Sequence, residues 1–212
     1  MTITIFIADD HLVVRQGLAQ LLALQPDMKV IGMAGDGREA LAQVAILKPS
    51  IVIMDISMPG MNGIETVRQL QEKAPASRIV MLSMHSTAEH IFHALAAGAA
   101  GYILKESASE EIVRGIRQVH AGRKFFDPLA KAILANASLV GRRTSPIDSL
   151  SKREREILQL VVEGKSSAEI ATTIHLSPKT VDTYRSRLMQ KLNIDDVTGL
   201  VKFAIQHGLT SI

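Results

Sequence analysis

Over its first 120 residues this sequence alternates short β-branched runs with amphipathic helical patterns, and this feature constrains its fold most strongly. The β-branched runs have the length and the apolar content of buried strands. Between them, apolar residues recur at helical spacing, as Val14, Leu18 and Leu22 do in the first interval. Alternation of this kind predicts an α/β doubly wound parallel sheet of five strands with helices on both faces. The predicted strands are residues 3–8, 30–33, 51–54, 79–82 and 102–104.

A second and smaller domain follows a segment in which this periodicity weakens. The chain has 212 residues, which is more than the roughly 150 residues of a typical domain and favours two domains once a linker is found. Residues 128–139 carry only a weak helical pattern, and a basic, turn-rich run at 141–146 follows it. We therefore predict a first domain at 1–122, a linker at 123–147 and a second domain at 148–212.

Start signals predict four short helices in the second domain. Ser151 with Glu154, and Ser166 with Glu169, have the spacing of capping boxes, in which each side chain bonds the backbone N–H of the other residue. Ser177 is an N-cap candidate because proline, a favoured first helical residue, follows it. A last helix comes after these three, and its apolar face can either pack in the core or pair two copies of the chain. That face consists of Val197, Leu200, Val201, Ala204 and Ile205.

Charge and composition restrict the classes of function. Residues 1–120 carry 10 Lys+Arg against 12 Asp+Glu, whereas residues 121–212 carry 14 against 9. Only the second part is therefore suited to a polyanion such as nucleic acid. The absence of cysteine excludes disulfides, thiol chemistry and sulfur-bound zinc, and it is compatible with a reducing cytoplasm. Since no apolar segment approaches the ~20 residues of a membrane span, we expect a cytoplasmic protein with no membrane contact.

Polar side chains follow four of the predicted strands, at the point where each strand ends. Asp9 and Asp10 follow the first strand and Asp55 follows the third. Ser83 follows the fourth strand and Lys105 the fifth. Because ligands of doubly wound sheets gather at the carboxyl ends of the strands, we expect these side chains to converge. Three carboxylates repel one another unless a cation neutralises them, and their oxygens suit Mg²⁺. Together with this ion, the lysine and the serine can stabilise a phosphoryl group.

These residues stand in motifs that resemble the receiver domain of two-component response regulators, over residues 1–120. The matching motifs are Asp9-Asp10, Asp55 with the run 58–63, Ser83, and the run 101–105. The resemblance implies a flavodoxin-like sheet with strand order 2-1-3-4-5. It also implies that Asp55 accepts a phosphoryl group from a phosphohistidine on a sensor histidine kinase.

The resemblance further implies a role for each residue around this acceptor. Asp10 and Asp55 bind Mg²⁺ directly, together with the backbone carbonyl of Ser57, whereas Asp9 acts mainly through water. Tyr102 matches the aromatic switch position, which we expect to respond when Ser83 moves toward the phosphoryl group. Lys105 and Ser83 stabilise that group.

Three neighbouring residues depart from this pattern or add to it. Glu106 stands where many receivers have proline. His11 and His85 border the site, and because no sulfur ligand accompanies them we expect ordinary structural roles for both, not a transition-metal site.

Three of the predicted helices in the second domain have the arrangement of a helix-turn-helix. On the third, Val181, Tyr184, Leu188 and Leu192 face one way and leave a polar face opposite. The runs 150–158, 164–171, 176–181 and 191–192 resemble the LuxR-type helix-turn-helix, over about residues 148–212. Together with the receiver motifs, the chain is similar to the NarL/FixJ group of response regulators.

This second resemblance implies DNA binding by the third helix. Family analogy places Asp182, Thr183 and Ser186 at base edges, and Lys179, Thr180, Arg187 and Lys191 at phosphates. The expected target is duplex DNA with two half-sites, bound by a homodimer that forms on phosphorylation or on the DNA. RNA polymerase is a further candidate partner.

The leading interpretation is a transcription regulator controlled by phosphorylation, not an enzyme. One alternative is a Mg²⁺-dependent phosphohydrolase, but such enzymes commonly use a second aspartate two residues after the nucleophile, where this chain has Ser57. Another is a ligand-sensing LuxR-type regulator, which needs an apolar sensory pocket where this chain has the acidic set. A third is a receiver that acts through protein contacts while its second domain no longer binds DNA. Only a DNA-binding assay distinguishes this alternative from the leading interpretation.

Overall fold

The computed structural model describes residues 2–138 and 146–207, which form two compact units with the division between the two ranges. The first unit combines a sheet with helices, and the second consists of helices. Within these described ranges, no helix has both the length and the apolar character needed to cross a membrane.

Strands and helices alternate through the first unit, as predicted. Its strands pair in parallel in the order β2-β1-β3-β4-β5-β6, which confirms the doubly wound sheet and the order 2-1-3-4-5 but adds a sixth strand. The strands are β1 (Ile3–Ala8), β2 (Met28–Ala34), β3 (Ile51–Met54), β4 (Arg78–Ser83), β5 (Gly101–Leu104) and β6 (Phe125–Phe126). The helices are α1 (Leu12–Ala23), α2 (Gly37–Leu47), α3 (Gly63–Lys73), α4 (Ala88–Ala97), α5 (Ser109–His120) and α6 (Pro128–Ser138).

Helices cover both faces of the sheet because successive side chains of a strand point to opposite faces. In β1, Phe6 and Ala8 belong to the core beneath α2, α3, α4 and α6. Ile5 and Ile7 belong to the core beneath α1 and α5. With both faces buried, polar groups can collect at the carboxyl edge of the sheet, where the loops begin.

The segment after α5 packs on the first unit. Phe125 is buried in the core beneath α1 and α5, and Ala130 of α6 is buried in the opposite core. The predicted helix at 128–139 is therefore present as Pro128–Ser138. Part of the predicted linker contacts the sheet, since β6 pairs with β5 and α6 packs through Ala130, Ile133 and Leu134. Residues 139–145 of that linker lie outside the described residues, so the domain boundaries stay a prediction.

The second unit contains the four predicted helices. A short 3₁₀ helix (Pro146–Ser149) precedes α7 (Lys152–Val162), α8 (Ser167–Ile174), α9 (Pro178–Leu192) and α10 (Val197–Gln206). Both capping boxes form, and the Ser177 hydroxyl accepts the N–H of Thr180 at the start of α9. Because α9 follows α8 after a short turn, these two helices form the predicted helix-turn-helix.

The apolar face of α10 is divided between the core and the surface. Leu200 and Ala204 are fully buried in the core that they form with residues of α7, α8 and α9. Val197, at the start of the helix, is 42% exposed. Pairing of two copies through the rest of this face stays a prediction.

Candidate acidic site and candidate nucleic-acid interface

Two buried carboxylates and one ammonium group meet at the carboxyl edge of the sheet. Asp9 follows β1 and Asp55 follows β3, and both are nearly inaccessible to solvent. The backbone N–H of Asp55 donates to the carbonyl of Ala8 at 2.8 Å, which continues the pairing of the two strands into the site. Lys105 Nζ lies 2.7 Å from Asp9 Oδ2 and 2.9 Å from Asp55 Oδ2. The lysine therefore bridges both carboxylates, as convergence of the strand ends predicts.

Burial dominates the acid–base properties of this cluster. Burial raises the pKa of Asp55 from 3.8 to about 6, against the opposing effect of Lys105 and with a smaller upward contribution from Asp9. For Lys105, burial acts to lower the pKa, but the hydrogen bonds and charges of Asp9 and Asp55 outweigh it and the pKa is raised. The lysine is therefore cationic at neutral pH, while Asp55 is an unusually basic carboxylate.

The donor atoms at this edge fit a hard divalent cation. Ligand atoms of Asp9, Asp10, His11 and Asp55 all lie within 4.8 Å of one another. Three carboxylates from two loops are the oxygen donors that Mg²⁺ prefers. His11 belongs to this cluster although the sequence favours a structural role for it, since its Nδ1 lies 2.7 Å from Asp10 Oδ1. Its backbone N–H also donates to Asp9 Oδ1 at 2.9 Å, which holds that carboxylate at the start of α1.

His85 connects three of the residues assigned from the sequence. Its backbone N–H donates to Ser83 Oγ at 3.0 Å, and its carbonyl accepts from the Tyr102 hydroxyl at 2.7 Å. Its ring Nε2 lies 2.7 Å from Ser57 Oγ, at hydrogen-bonding distance. Burial, reinforced by the charge of Lys105, lowers the pKa of His85, so the imidazole is neutral at neutral pH.

The predicted switch aromatic lies inside the protein. Tyr102 is fully buried in β5, and burial raises the pKa of its hydroxyl. Its hydroxyl donates to the His85 carbonyl, and a hydrogen bond with the Ser83 side chain opposes the effect of burial on its pKa. Ser83 and Tyr102 are therefore linked directly as well as through the backbone of the loop that contains His85.

The loop after Asp55 needs a glycine at its end. A Cβ on Gly63 would lie 1.8 Å from the carbonyl oxygen of Asp55, a distance that no side chain can occupy. The Asn62 side chain accepts the N–H of Glu65 and so begins α3 beside the site. These two contacts explain why Asn62 and Gly63 end the run 58–63.

The polar face of α9 is exposed, as the sequence predicts. Val181 and Leu188 are buried in the core of the second unit, and Tyr184 and Leu192 pack against it. The side chains assigned to DNA contacts lie on the remaining surface, with Thr180 half-buried and its hydroxyl 2.7 Å from that of Ser177. The exposed members are Lys179, Asp182, Thr183, Ser186, Arg187 and Lys191.

One of these side chains is held by a residue of α8. Ser167 Oγ donates to Asp182 Oδ1 at 2.6 Å, and Arg185 Nη1 donates to Ser167 Oγ at 2.9 Å. Asp182 is therefore fixed at the junction of the two helices. The partners are 15 residues apart in the chain, so no local pattern could reveal the contact.

Another, Lys191, forms an ion pair within the unit. Its Nζ lies 2.8 Å from Oε2 of Glu154, whose side chain is buried. Burial acts to raise the pKa of Glu154, but hydrogen bonds from Lys191 and Ser151 outweigh it and hold the pKa below its usual value. A phosphate contact by Lys191 would compete with this pair.

Comparison with known proteins identifies both units. Residues 5–117 match the model of the response regulator receiver domain. Residues 148–204 match the model of the bacterial regulatory proteins of the luxR family. The first match covers the sheet and its acidic edge, and the second covers the helix-turn-helix.

Relatives resemble the chain over nearly its whole length. It is 38% identical over 212 residues to the oxygen regulatory protein NreC of Staphylococcus carnosus, covering 97% of this chain and 98% of that protein. It is 34% identical over 209 residues to the response regulator protein VraR of Staphylococcus aureus, covering 99% of each. RcsB of Salmonella enterica serovar Typhimurium, solved on promoter P1flhDC with the phosphomimetic BeF3−, has a TM-score of 0.64 and 26% identity, covering 96% of this chain and 98% of that one.

Proposed function

Because the chain belongs to the response regulators that join a receiver domain to a LuxR-type DNA-binding domain, we propose that Asp55 is its phosphoacceptor and that phosphorylation controls binding to an operator. The observation that carries the proposal is the bridge of Lys105 between Asp9 and Asp55. This bridge holds the buried Asp55 carboxylate, whose pKa is raised, next to the Lys105 ammonium. The same ammonium can stabilise the negative charge of a phosphoryl group on Asp55.

The reaction is transfer of a phosphoryl group from a phosphohistidine of the sensor kinase. A carboxylate oxygen of Asp55 forms a bond to phosphorus while the bond from phosphorus to the imidazole nitrogen breaks. The imidazole leaves with that electron pair. Lys105 and Ser83 then donate hydrogen bonds to the phosphoryl oxygens, since Ser83 ends β4, the strand next to β3, and Lys105 Nζ already lies 2.9 Å from Asp55 Oδ2.

Mg²⁺ belongs to this proposal as the cofactor of the acidic edge. Asp10 and Asp55 would hold it with the Ser57 carbonyl, and Asp9 would contribute through water. When bound, the ion supplies positive charge that stabilises the charge of the phosphoryl oxygens. Support comes from the three carboxylates, whose ligand atoms lie within 4.8 Å of one another.

Labelling with a small phosphodonor such as acetyl phosphate in the presence of Mg²⁺ tests the acceptor. Intact-mass spectrometry should detect one phosphoryl group on the wild-type chain and none on Asp55→Asn. Asp10→Ala should also fail, because it loses the metal. Asp27→Asn is the matched control, since Asp27 pairs with Arg117 and is outside the acidic cluster. Undiminished labelling of Asp55→Asn would exclude this residue as the acceptor.

For the second domain we propose symmetric binding of two copies to two half-sites of duplex DNA in the cytoplasm. One short helix reaches only a few base pairs, so a two-fold pair doubles the recognised sequence. Asp182, Thr183 and Ser186 are proposed to contact bases, while Lys179, Thr180, Arg187 and Lys191 are proposed to contact phosphates. RcsB, which resembles the chain over both units, was solved on a promoter, and RNA polymerase is a further proposed partner.

Footprinting on a selected operator at several salt concentrations tests this interface. Lys179→Ala should weaken binding to all sequences and reduce the slope of log affinity against log salt by about one. Lys191→Ala is the informative comparison, because Lys191 also pairs with buried Glu154, so thermal unfolding should show a loss that Lys179→Ala lacks. Thr183→Ala and Ser186→Ala should change the preferred sequence. An unchanged preference in both would remove α9 as the reader of bases.

A further inference from the structure

A buried aspartate outside the acidic edge connects the turn that contains Lys105 to α6. Asp127 follows β6 and is fully inaccessible to solvent. Its Oδ2 accepts the N–H of Leu104 at 2.6 Å and the hydroxyl of Ser107 at 2.5 Å. Its Oδ1 accepts the N–H of Ala130 at 2.6 Å, in the first turn of α6. Burying a carboxylate is costly unless donors satisfy it, and these three short bonds do so.

Two of these donors flank Lys105. Leu104 precedes the lysine and Ser107 follows it by two residues, and the N–H of Ser107 donates to the Leu104 carbonyl at 2.9 Å to close a turn. On the other side, the N–H of Lys105 donates to the Ser83 carbonyl at 2.9 Å. Asp127 therefore fixes the turn from which the Lys105 side chain reaches Asp9 and Asp55.

We propose that Asp127 is a positioning residue for phosphoryl transfer, acting through the turn that carries Lys105. This inference rests on the proposed role of Asp55 as acceptor. Since the other oxygen of the same carboxylate caps α6, the placement of Lys105 and the start of α6 depend on one side chain. Asp127 touches none of the reacting atoms.

A carboxylate is required because two oxygens must accept at once. Asparagine is a good helix cap, but its amide offers one oxygen and one NH₂ group. In Asp127→Asn, the NH₂ group must face either the Ala130 N–H or the Leu104 and Ser107 donors. Retaining the cap of α6 therefore leaves the Lys105 turn without its acceptor.

The test measures labelling of the full chain by acetyl phosphate with saturating Mg²⁺. We expect Asp127→Asn to slow labelling about tenfold or more, since displacement of a catalytic group by about 1 Å can cost a hundredfold. Mg²⁺ affinity, measured by calorimetry, should not weaken, because a displaced Lys105 ammonium competes less with the ion for Asp9 and Asp55. Ser107→Ala removes one bond and keeps the buried carboxylate, so it should slow labelling less.

Asp196→Asn is the matched control, because Asp196 caps α10 in the second unit through the N–H of Gly199. It should label at the wild-type rate. Wild-type rates in both Asp127→Asn and Ser107→Ala would overturn the inference, as would a parallel loss of rate and Mg²⁺ affinity, which indicates general damage. If Asp127→Asn fails to fold, Ser107→Ala decides alone. Labelling that persists in Asp55→Asn would instead overturn the proposed acceptor, which is a separate result.

Discussion

The ionised form of Asp55, which the proposed phosphoryl transfer uses, destabilises the folded chain. The pKa of Asp55 in the folded chain, about 6, lies above its usual value of 3.8, and burial is the main cause. A raised carboxyl pKa means that the folded state prefers the protonated form, so ionisation lowers the free energy of unfolding. The difference between the two pKa values lowers the free energy of unfolding by about 3 kcal/mol at neutral pH. Lys105 offsets part of the cost of burial and does not remove it.

We therefore expect Asp55→Asn to stabilise the chain in the absence of divalent cations. In a chelating buffer, the free energy of unfolding of the variant minus that of the wild type should increase as pH rises from about 4 to about 6. Above that range it should be constant and positive, by up to about 3 kcal/mol. Denaturant unfolding at several pH values measures it. A difference in the free energy of unfolding that does not vary with pH would mean that the pKa of Asp55 is not raised in the folded chain.

Gly63 offers a second test at the scale of one residue. A Cβ there would overlap the Asp55 carbonyl oxygen, so Gly63→Ala must displace the loop of the acceptor. We expect a loss of stability of about 3 kcal/mol or more, together with slower labelling of Asp55. Gly17→Ala, in α1, is the control because its Cβ would meet nothing within 4 Å. It should be neutral or stabilise by up to about 1 kcal/mol. Equal effects of the two substitutions would contradict the close approach.

The sequence predicts single residues well where a local pattern places them. Asp9, Asp55 and Lys105 follow strands whose apolar content is plain, so their meeting at one edge follows from the parallel sheet. The bonds of Asp127 to Leu104 and Ser107, and the pair of Lys191 with Glu154, are not predictable from the sequence. These contacts join residues 20 to 37 positions apart in the chain, and no periodicity encodes them.

At the scale of elements, length decides what the sequence reveals. The predicted strands 3–8 and 51–54 match β1 and β3, and every capped helix of the second unit begins at its predicted signal. β6 has only two residues, too few for a pattern, and it exists because its backbone pairs with β5. The helix at 128–139 is long enough to leave a pattern in the sequence. Its packing on the sheet depends on distant residues, so the sequence does not predict it.

Packing of β6 and α6 predicts the effect of two truncations. A fragment of residues 1–122 loses the buried side chains of Phe125, Asp127 and Ala130, whereas a fragment of residues 1–138 keeps them. We expect the shorter fragment to be less stable by about 3 kcal/mol or more, since loss of one buried phenylalanine alone costs about that much. Thermal and denaturant unfolding of both fragments measure the difference. Equal stability would mean that residues 123–138 contribute nothing to the stability of the first unit.

On the scale of the whole molecule, two chemistries are divided between two units. The acidic edge lies in the part with excess negative charge, and the exposed face of α9 lies in the part with excess positive charge. The family consists of DNA-binding transcription regulators, which decides against the phosphohydrolase among the alternatives. Coupling between the two units must begin with a change in the first unit, because the proposed phosphoacceptor Asp55 lies there.

The loop that contains His85 is the candidate for that change. Ser83 accepts the His85 N–H and Tyr102 donates to the His85 carbonyl, so a Ser83 hydroxyl that turns toward a phosphoryl group would disturb its bond to the His85 N–H, and with it the loop that also binds Tyr102. This change would shift a pre-existing equilibrium toward the dimer that binds DNA.

Ser83→Ala should therefore separate phosphorylation from its consequence. The variant should still label at Asp55, though more slowly, because one donor to the phosphoryl oxygens is lost while Lys105 remains. Its gain in dimerisation and DNA affinity on phosphorylation should be much smaller than in the wild type, by sedimentation and by titration of an operator at fixed salt. Thr87→Ala, which removes the N-cap of α4 just beyond the same loop, controls for simple loosening of the region. If fully labelled Ser83→Ala dimerises and binds the operator as the wild type does, coupling does not pass through Ser83.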